Sequence, residues 1–206
     1  MKVLVTGFEK FGKEKINPSW EAIKDLKDPD FKDVKIIKKK LPVSFKKVVE
    51  TLPEIIKEIK PDIYIAFGLA GGRNTFTIER VAINIMDSTA PDNEKYTPTD
   101  VPIFQDGPAA FFSTLPIKKI MKTLHNQGIP ALISNTAGTY VCNTAFYVGR
   151  YVMEKISPKG LAGFIHIPFQ SSQVVNRNVP SYPLDFIKKG VKISINTAVD
   201  YFKDKQ

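Results

Sequence analysis

One cysteine, two histidines and a carboxylate set inside an apolar run are the side chains whose types permit nucleophilic chemistry. The cysteine is Cys142, in "SNTAGTYVCNTAFYVGRYV". It follows the strand-like run Ala131–Ser134 and the turn-permitting Gly138, and it stands where a helical pattern begins. A thiol at a helix N-terminus feels the positive end of the dipole, which favours thiolate and lowers its pKa. The free backbone N–H groups of that turn can also stabilise an oxyanion. The competing reading is a buried, inert cysteine.

A cysteine nucleophile usually needs a histidine. His125, in "MKTLHNQG", falls in the last turn of a predicted helix before Gly128, where the dipole favours it and its role is structural. His166, in "GFIHIPF", sits near the end of an apolar strand, an odd place for an imidazole without a partner. Glu79, in "TFTIERVAIN", is a carboxylate within an apolar strand and needs pairing if buried. The adjacent Arg80 points to the opposite face of a strand, so Glu79 is free to face His166. Glu79, Cys142 and His166 together would make a cysteine hydrolase triad, with the carboxylate orienting the imidazole.

Apolar runs alternating with amphipathic stretches position these residues. Strands are predicted at Lys2–Thr6, Val34–Lys39, Asp62–Phe67, Phe76–Ile85, Ala131–Ser134 and Leu161–Ile167. Helices are predicted at Pro18–Leu26, Phe45–Ile59, Pro116–Asn126, Asn143–Lys155 and Leu184–Phe202, the second broken or kinked at Pro53. Strands such as "DIYIAF" and "ALIS" are apolar on both faces, which calls for helices on both sides. The expected fold is α/β: a three-layer α/β/α sandwich around a twisted, mostly parallel sheet, with residues 1–206 forming one domain. Ligands of such sheets bind beyond the carboxyl ends of the strands. The long polar stretch from Met86 to Phe111 reads as a functional or contact loop.

Two glycine loops follow strands. "GFEKFGKE" has the spacing of a phosphate-binding loop, but Glu14 stands where a hydroxyl is needed, no helix starts before Pro18, and Phe8 and Phe11 fill the cradle. Those two rings suit the wall of a pocket for a small flat group, or else plain loop packing. "GLAGGRNT", Gly68 to Thr75, lacks the dinucleotide spacing and a following helix, so its glycines serve a sharp turn and close backbone approach.

Composition narrows the classes further. The chain is 43% hydrophobic, enough for a sizeable core, and has no apolar run of membrane-spanning length. Its N-terminus reads as a first strand and not a signal peptide. The single cysteine excludes an intrachain disulfide and fits the cytoplasm. A net charge of +9 raises nucleic-acid binding, but the lysines are scattered over predicted helix faces.

At these motifs the chain resembles the pyroglutamyl peptidase type I family, also called pyrrolidone-carboxylate peptidases. The likeness runs through "TGFEKFG", "NPSWEAI", "GLAGGR", "IERVAIN", "PDN", "GPAAFFSTLPIKKI", "TAGTYVCN" and "GFIHIP", in the family's order. It implies a cytosolic cysteine peptidase that removes N-terminal pyroglutamyl residues from peptides. It also implies an α/β/α sandwich, a homotetramer, and no metal or organic cofactor; with the scattered lysines and the lack of a long apolar run, no nucleic-acid or membrane partner is expected. The family's nucleophile falls on Cys142, its histidine on His166 and its glutamate on Glu79. Its lactam-holding phenylalanines fall on Phe8 and Phe11, a pocket asparagine on Asn17, and the residues before the nucleophile on Tyr140 and Val141.

This sequence departs from the family pattern in places. Thr89-Ala90 stands where many members have Arg-Ile before "PDN", Leu69 where some have a glutamine, and Lys10 and Lys13 stand in the first glycine loop. Loss of one oxyanion donor can cost roughly a hundredfold in rate. A thiol hydrolase of shifted lactam or amide specificity, and a non-enzymatic basic binding module, are the alternatives.

Overall fold

The computed structural model describes residues 1–26 and 33–205. Within them the chain runs β1 (Lys2–Phe8), α1 (Pro18–Ile23), β2 (Lys35–Leu41), α2 (Phe45–Ile59), β3 (Ile63–Leu69), β4 (Phe76–Glu79), β5 (Val81–Ile83) and β6 (Ala110–Phe112). It continues through α3 (Ile117–Asn126), β7 (Ala131–Ser134), α4 (Val141–Ile156), β8 (Leu161–Ile167), β9 (Phe169–Gln170), β10 (Ser181–Tyr182) and α5 (Leu184–Lys203). A six-stranded sheet has the order β2-β1-β3-β8-β4-β7. Its ladders are parallel except β4 against β8, which is antiparallel.

Alternation along the central strands splits the core in two. Val3, Val5, Ile63, Ile65, Phe67, Ile165 and Ile167 face one way, against Ile23 of α1, Ile120 and Leu124 of α3, and Ile187, Val191 and Ile195 of α5. Leu4, Tyr64, Ala66, Ala162 and Phe164 face the other way, against Val48, Leu52 and Ile56 of α2 and Phe146, Val148 and Val152 of α4. Helices therefore cover both faces of a mostly parallel sheet, as strands apolar on both sides require. Helix α4 lies close to the sheet because residue 149 is glycine: a Cβ there would collide with the Tyr64 ring.

Two expectations need correction. Helix α2 runs unbroken through Pro53. Its N-cap, where Ser44 accepts from the Lys47 N–H, and the buried stripe Phe45, Val48, Leu52, Ile56 and Ile59 offset the lost backbone bond. The predicted strand Phe76–Ile85 is two strands, divided at Arg80. The Arg80 N–H donates to the Ser134 carbonyl of β7, while its own carbonyl accepts from Ser113, where the chain leaves the main sheet. Beyond that point β5 pairs with β6 in a separate ribbon.

Candidate active site

The sheet register gathers the candidate residues. Gly68 of β3 pairs with His166 of β8, and His166 pairs on its other side with Thr77 of β4. Directly paired residues share a face, and Glu79, two positions after Thr77, shares it too. Glu79 is therefore a diagonal neighbour of His166 across the antiparallel ladder, within reach of a long side chain. The Glu79 Oε1 lies 2.7 Å from His166 Nδ1. The contact fixes the ring so that Nδ1–H donates and Nε2 is left as the basic nitrogen.

Glu79 is fully buried. Its charge is met by a residue that sequence reasoning passed over: Arg73 Nη1 donates to the same Oε1 at 2.8 Å. Arg73 sits in the glycine loop after β3, where no periodicity marks a side chain as important. The signal available was the need of a buried carboxylate for a cation; the adjacent Arg80, which points to the other face as expected, donates its Nε to Asn135 Oδ1 instead. Burial lowers the His166 pKa, while the hydrogen bond and charge of Glu79 pull it back up and Arg73 lowers it further. The lowered pKa favours the neutral imidazole, the form in which a histidine can accept a proton.

Cys142 is the second residue of α4, whose N-cap is Tyr140. The buried Asn143 pins this helix end: Ile83 N–H donates to its Oδ1, and its Nδ2 donates to the carbonyls of Ile83 and Ile85. Sequence reasoning missed this residue as well. A Cβ built on Gly68 would lie 3.0 Å from Cys142 Sγ and 2.6 Å from the Phe164 ring, so the thiol rests over the glycine paired with His166. The residue keeps partial solvent access, yet its sulfur is packed against the protein. Burial pushes the thiol up to about 12, with the Glu79 charge adding to the rise and Arg73 opposing it. The lowered pKa expected from the helix N-terminus is thus outweighed by desolvation. The resting pair is thiol and neutral imidazole, not thiolate and imidazolium.

Cys142 opens on an apolar recess lined by Phe8, Phe11, Asn17, Val43, Leu69, Tyr140 and Val141. All five residues expected to hold substrate lie here, joined by Val43 and Leu69. Phe8 packs at 6.3 Å from Phe164, whose ring lies 4.8 Å from that of His166. Phe11 and Tyr140 are 6.5 Å apart, and Tyr140 is held edge-on by Phe45. The polar atoms of Asn17 are already engaged: Oδ1 caps α1 by accepting from Ser19 N–H and Oγ–H, and Nδ2 donates to the Glu9 carbonyl. Asn17 therefore shapes the loop that carries Phe11. Among the described residues no cluster of three or more His, Cys, Asp or Glu could hold a metal ion, and no helix is long and apolar enough to cross a membrane.

Residues 1–201 match the model of the pyroglutamyl peptidase family. The chain belongs to the pyroglutamyl peptidase family. Curated relatives agree with this membership. A pyrrolidone-carboxylate peptidase of Thermococcus onnurineus is 52% identical over 199 residues, covering 97% of this chain and 99% of the relative. One of Bacillus cytotoxicus is 48% identical over 205 residues, covering 98% and 94%. The crystal structure of pyrrolidone carboxyl peptidase from the hyperthermophile Pyrococcus furiosus superposes with a TM-score of 0.94 at 45% identity, covering 98% of this chain and all of that one. The positions expected to depart from the family pattern fall in two settings here. Leu69 lines the recess itself, whereas Thr89 and Ala90 are exposed on the turn made by Ser88 Oγ.

Proposed function

We propose that this peptidase is a cysteine omega-peptidase that hydrolyses the N-terminal L-pyroglutamyl residue from peptides through Cys142, His166 and Glu79. The observation that carries this reading is the thiol at the edge of an aromatic recess, resting over the ladder partner of an imidazole held by a buried carboxylate. The lactam is neutral, so Phe8, Phe11, Tyr140 and Val141 can enclose it, whereas an N-terminal ammonium would lose its hydration there.

With the lactam seated, His166 Nε2 takes the Cys142 proton as the sulfur attacks the pyroglutamyl carbonyl carbon. Glu79 stabilises the imidazolium that forms. The Cys142 backbone N–H, free at the first turn of α4, donates to the oxyanion. The tetrahedral adduct collapses, the C–N bond breaks, and the imidazolium returns its proton to the leaving amine. Water, deprotonated by His166, then hydrolyses the thioester, releasing pyroglutamate and restoring the thiol.

Leu69 in the recess supports a second reading, a thiol hydrolase of shifted lactam or amide specificity, because it offers the substrate no hydrogen bond where the resemblance gives some relatives a glutamine. A panel of pyroglutamyl, prolyl and glutaminyl amides separates the two. Residues 1–206 act as one domain in this reading. The lone cysteine supports a cytoplasmic setting, and the resemblance to the family supports a homotetramer. The first test is fluorophore release from a pyroglutamyl amide, with Cys142→Ala as the comparison. Release should fall at least a thousandfold, on the order of a lost nucleophile. Equal release by folded, pure variant would reject the assignment.

A further inference from the structure

The first glycine loop has a second face. Phe8, Phe11 and Asn17 point to the recess beside Cys142, while Lys13, Glu14, Lys15 and Ile16 form one wall of a separate groove of about 540 Å³. The opposite wall is Ser172, Gln173, Val175, Asn176 and Arg177, a segment that begins a few residues after His166. In the sheet, β3 lies between β1 and β8, so these two loops flank the end of β3, where Gly68 underlies the Cys142 sulfur. The groove therefore starts from the two chain segments that also carry the recess and the imidazole.

The walls are tied together at their base. Arg177 makes a two-pronged ion pair with Glu14, at 2.7 and 3.1 Å, and also donates to the Gln173 carbonyl. Gln173 Nε2 donates to Glu14 and to the Ile16 carbonyl. Glu14 is thereby spent on Arg177. Lys13 and Lys15 are exposed and have no acidic partner among the described residues, which leaves the groove with a surplus of positive charge. The mechanism above makes no use of these cations.

A pyroglutamyl peptide has lost its N-terminal ammonium to the lactam, but it keeps its C-terminal carboxylate, ionised at neutral pH. A short one with neutral side chains is thus an anion. With the lactam in the recess, the proposed return of a proton from His166 sets the leaving amine beside that imidazole, and each extended residue beyond it advances the carboxylate by about 3.5 Å. Taking the proposed peptidase activity as given, we infer that this groove is the subsite for the leaving peptide, and that Lys13 and Lys15 select short pyroglutamyl peptides ending in a free carboxylate.

The test compares pyroglutamyl di-, tri- and tetrapeptides as free acids and as C-terminal amides. A fluorogenic pyroglutamyl amide without a carboxylate checks the underlying activity. At low ionic strength one of the acids should exceed its amide in kcat/KM by about fivefold to twentyfold, through KM, and salt should erode the preference. The ratio should approach one in Lys13→Ala/Lys15→Ala and invert in Lys13→Glu/Lys15→Glu. Because the ratio is internal to each variant, loss of folded enzyme does not distort it. Equal acid and amide rates in the unaltered enzyme, or a preference that survives both double variants, overturn the subsite while fluorophore release persists. Failure of fluorophore release itself overturns the peptidase reading instead.

Discussion

Replacing Arg73 with methionine keeps much of the side-chain volume and removes the cation that meets Glu79. At an effective dielectric of about 20, opposite charges 2.8 Å apart interact by about 6 kcal/mol before desolvation is counted. Arg73 keeps 35% of its side-chain surface exposed, so screening and its own dehydration reduce the net loss to about 1–3 kcal/mol. The kinetic effect has a defined sign. Arg73 disfavours imidazolium at His166, so removing it raises the His166 pKa, and the neutral base is then present only at higher pH. The acid limb of kcat/KM should move to higher pH, with the rate falling at pH values below the displaced limb. Arg73→Lys restores the charge and should bring the limb most of the way back. The assay is a pH profile of pyroglutamyl amide hydrolysis for the three proteins, with melting temperature measured alongside. An Arg73→Met profile of unchanged shape would refute the electrostatic reasoning, whatever its height.

Two further predictions follow from the same geometry. With its thiol pushed up to about 12, resting Cys142 should react with iodoacetamide at neutral pH about a hundredfold more slowly than a cysteine in a free peptide, the rate climbing as pH rises. Alkylation as fast as the free peptide's would mean that a thiolate–imidazolium pair is already formed. Gly68→Ala should cost about 1–3 kcal/mol of stability by overpacking against Phe164, and should lower kcat more than it raises KM because the sulfur is displaced; unchanged kcat would show that the thiol does not rest where described.

Much of the architecture was legible because the core is simple. Runs such as Ile63–Leu69 are buried throughout, and the glycine, proline and cap residues punctuate the helices well. The division at Arg80 was not legible. Val81–Ile83 remains β-prone, and it is at Arg80, whose N–H donates to the Ser134 carbonyl and whose carbonyl accepts from the Ser113 N–H, that the chain leaves the main sheet. The pairing of Glu79 with His166 could be anticipated because two polar groups in apolar strands must find partners. Arg73 and Asn143 could not be anticipated from pattern alone. Their value lies in reaching Glu79 and the β5 backbone, and neither contact leaves a trace in local periodicity. The upward shift at Cys142 was not legible for a related reason: the dipole is a property of one helix, but desolvation depends on everything packed around the sulfur.

The central claim is that Cys142 becomes acylated by the pyroglutamyl group. Acid quench of the enzyme during turnover of a pyroglutamyl ester, followed by intact and peptide mass spectrometry, tests it most directly. The account predicts one added pyroglutamyl group, mapped to the peptide bearing Cys142 and absent in Cys142→Ala. Continued turnover with an unmodified Cys142 in a quench fast enough to catch an acyl-enzyme, or turnover by Cys142→Ala, would contradict it.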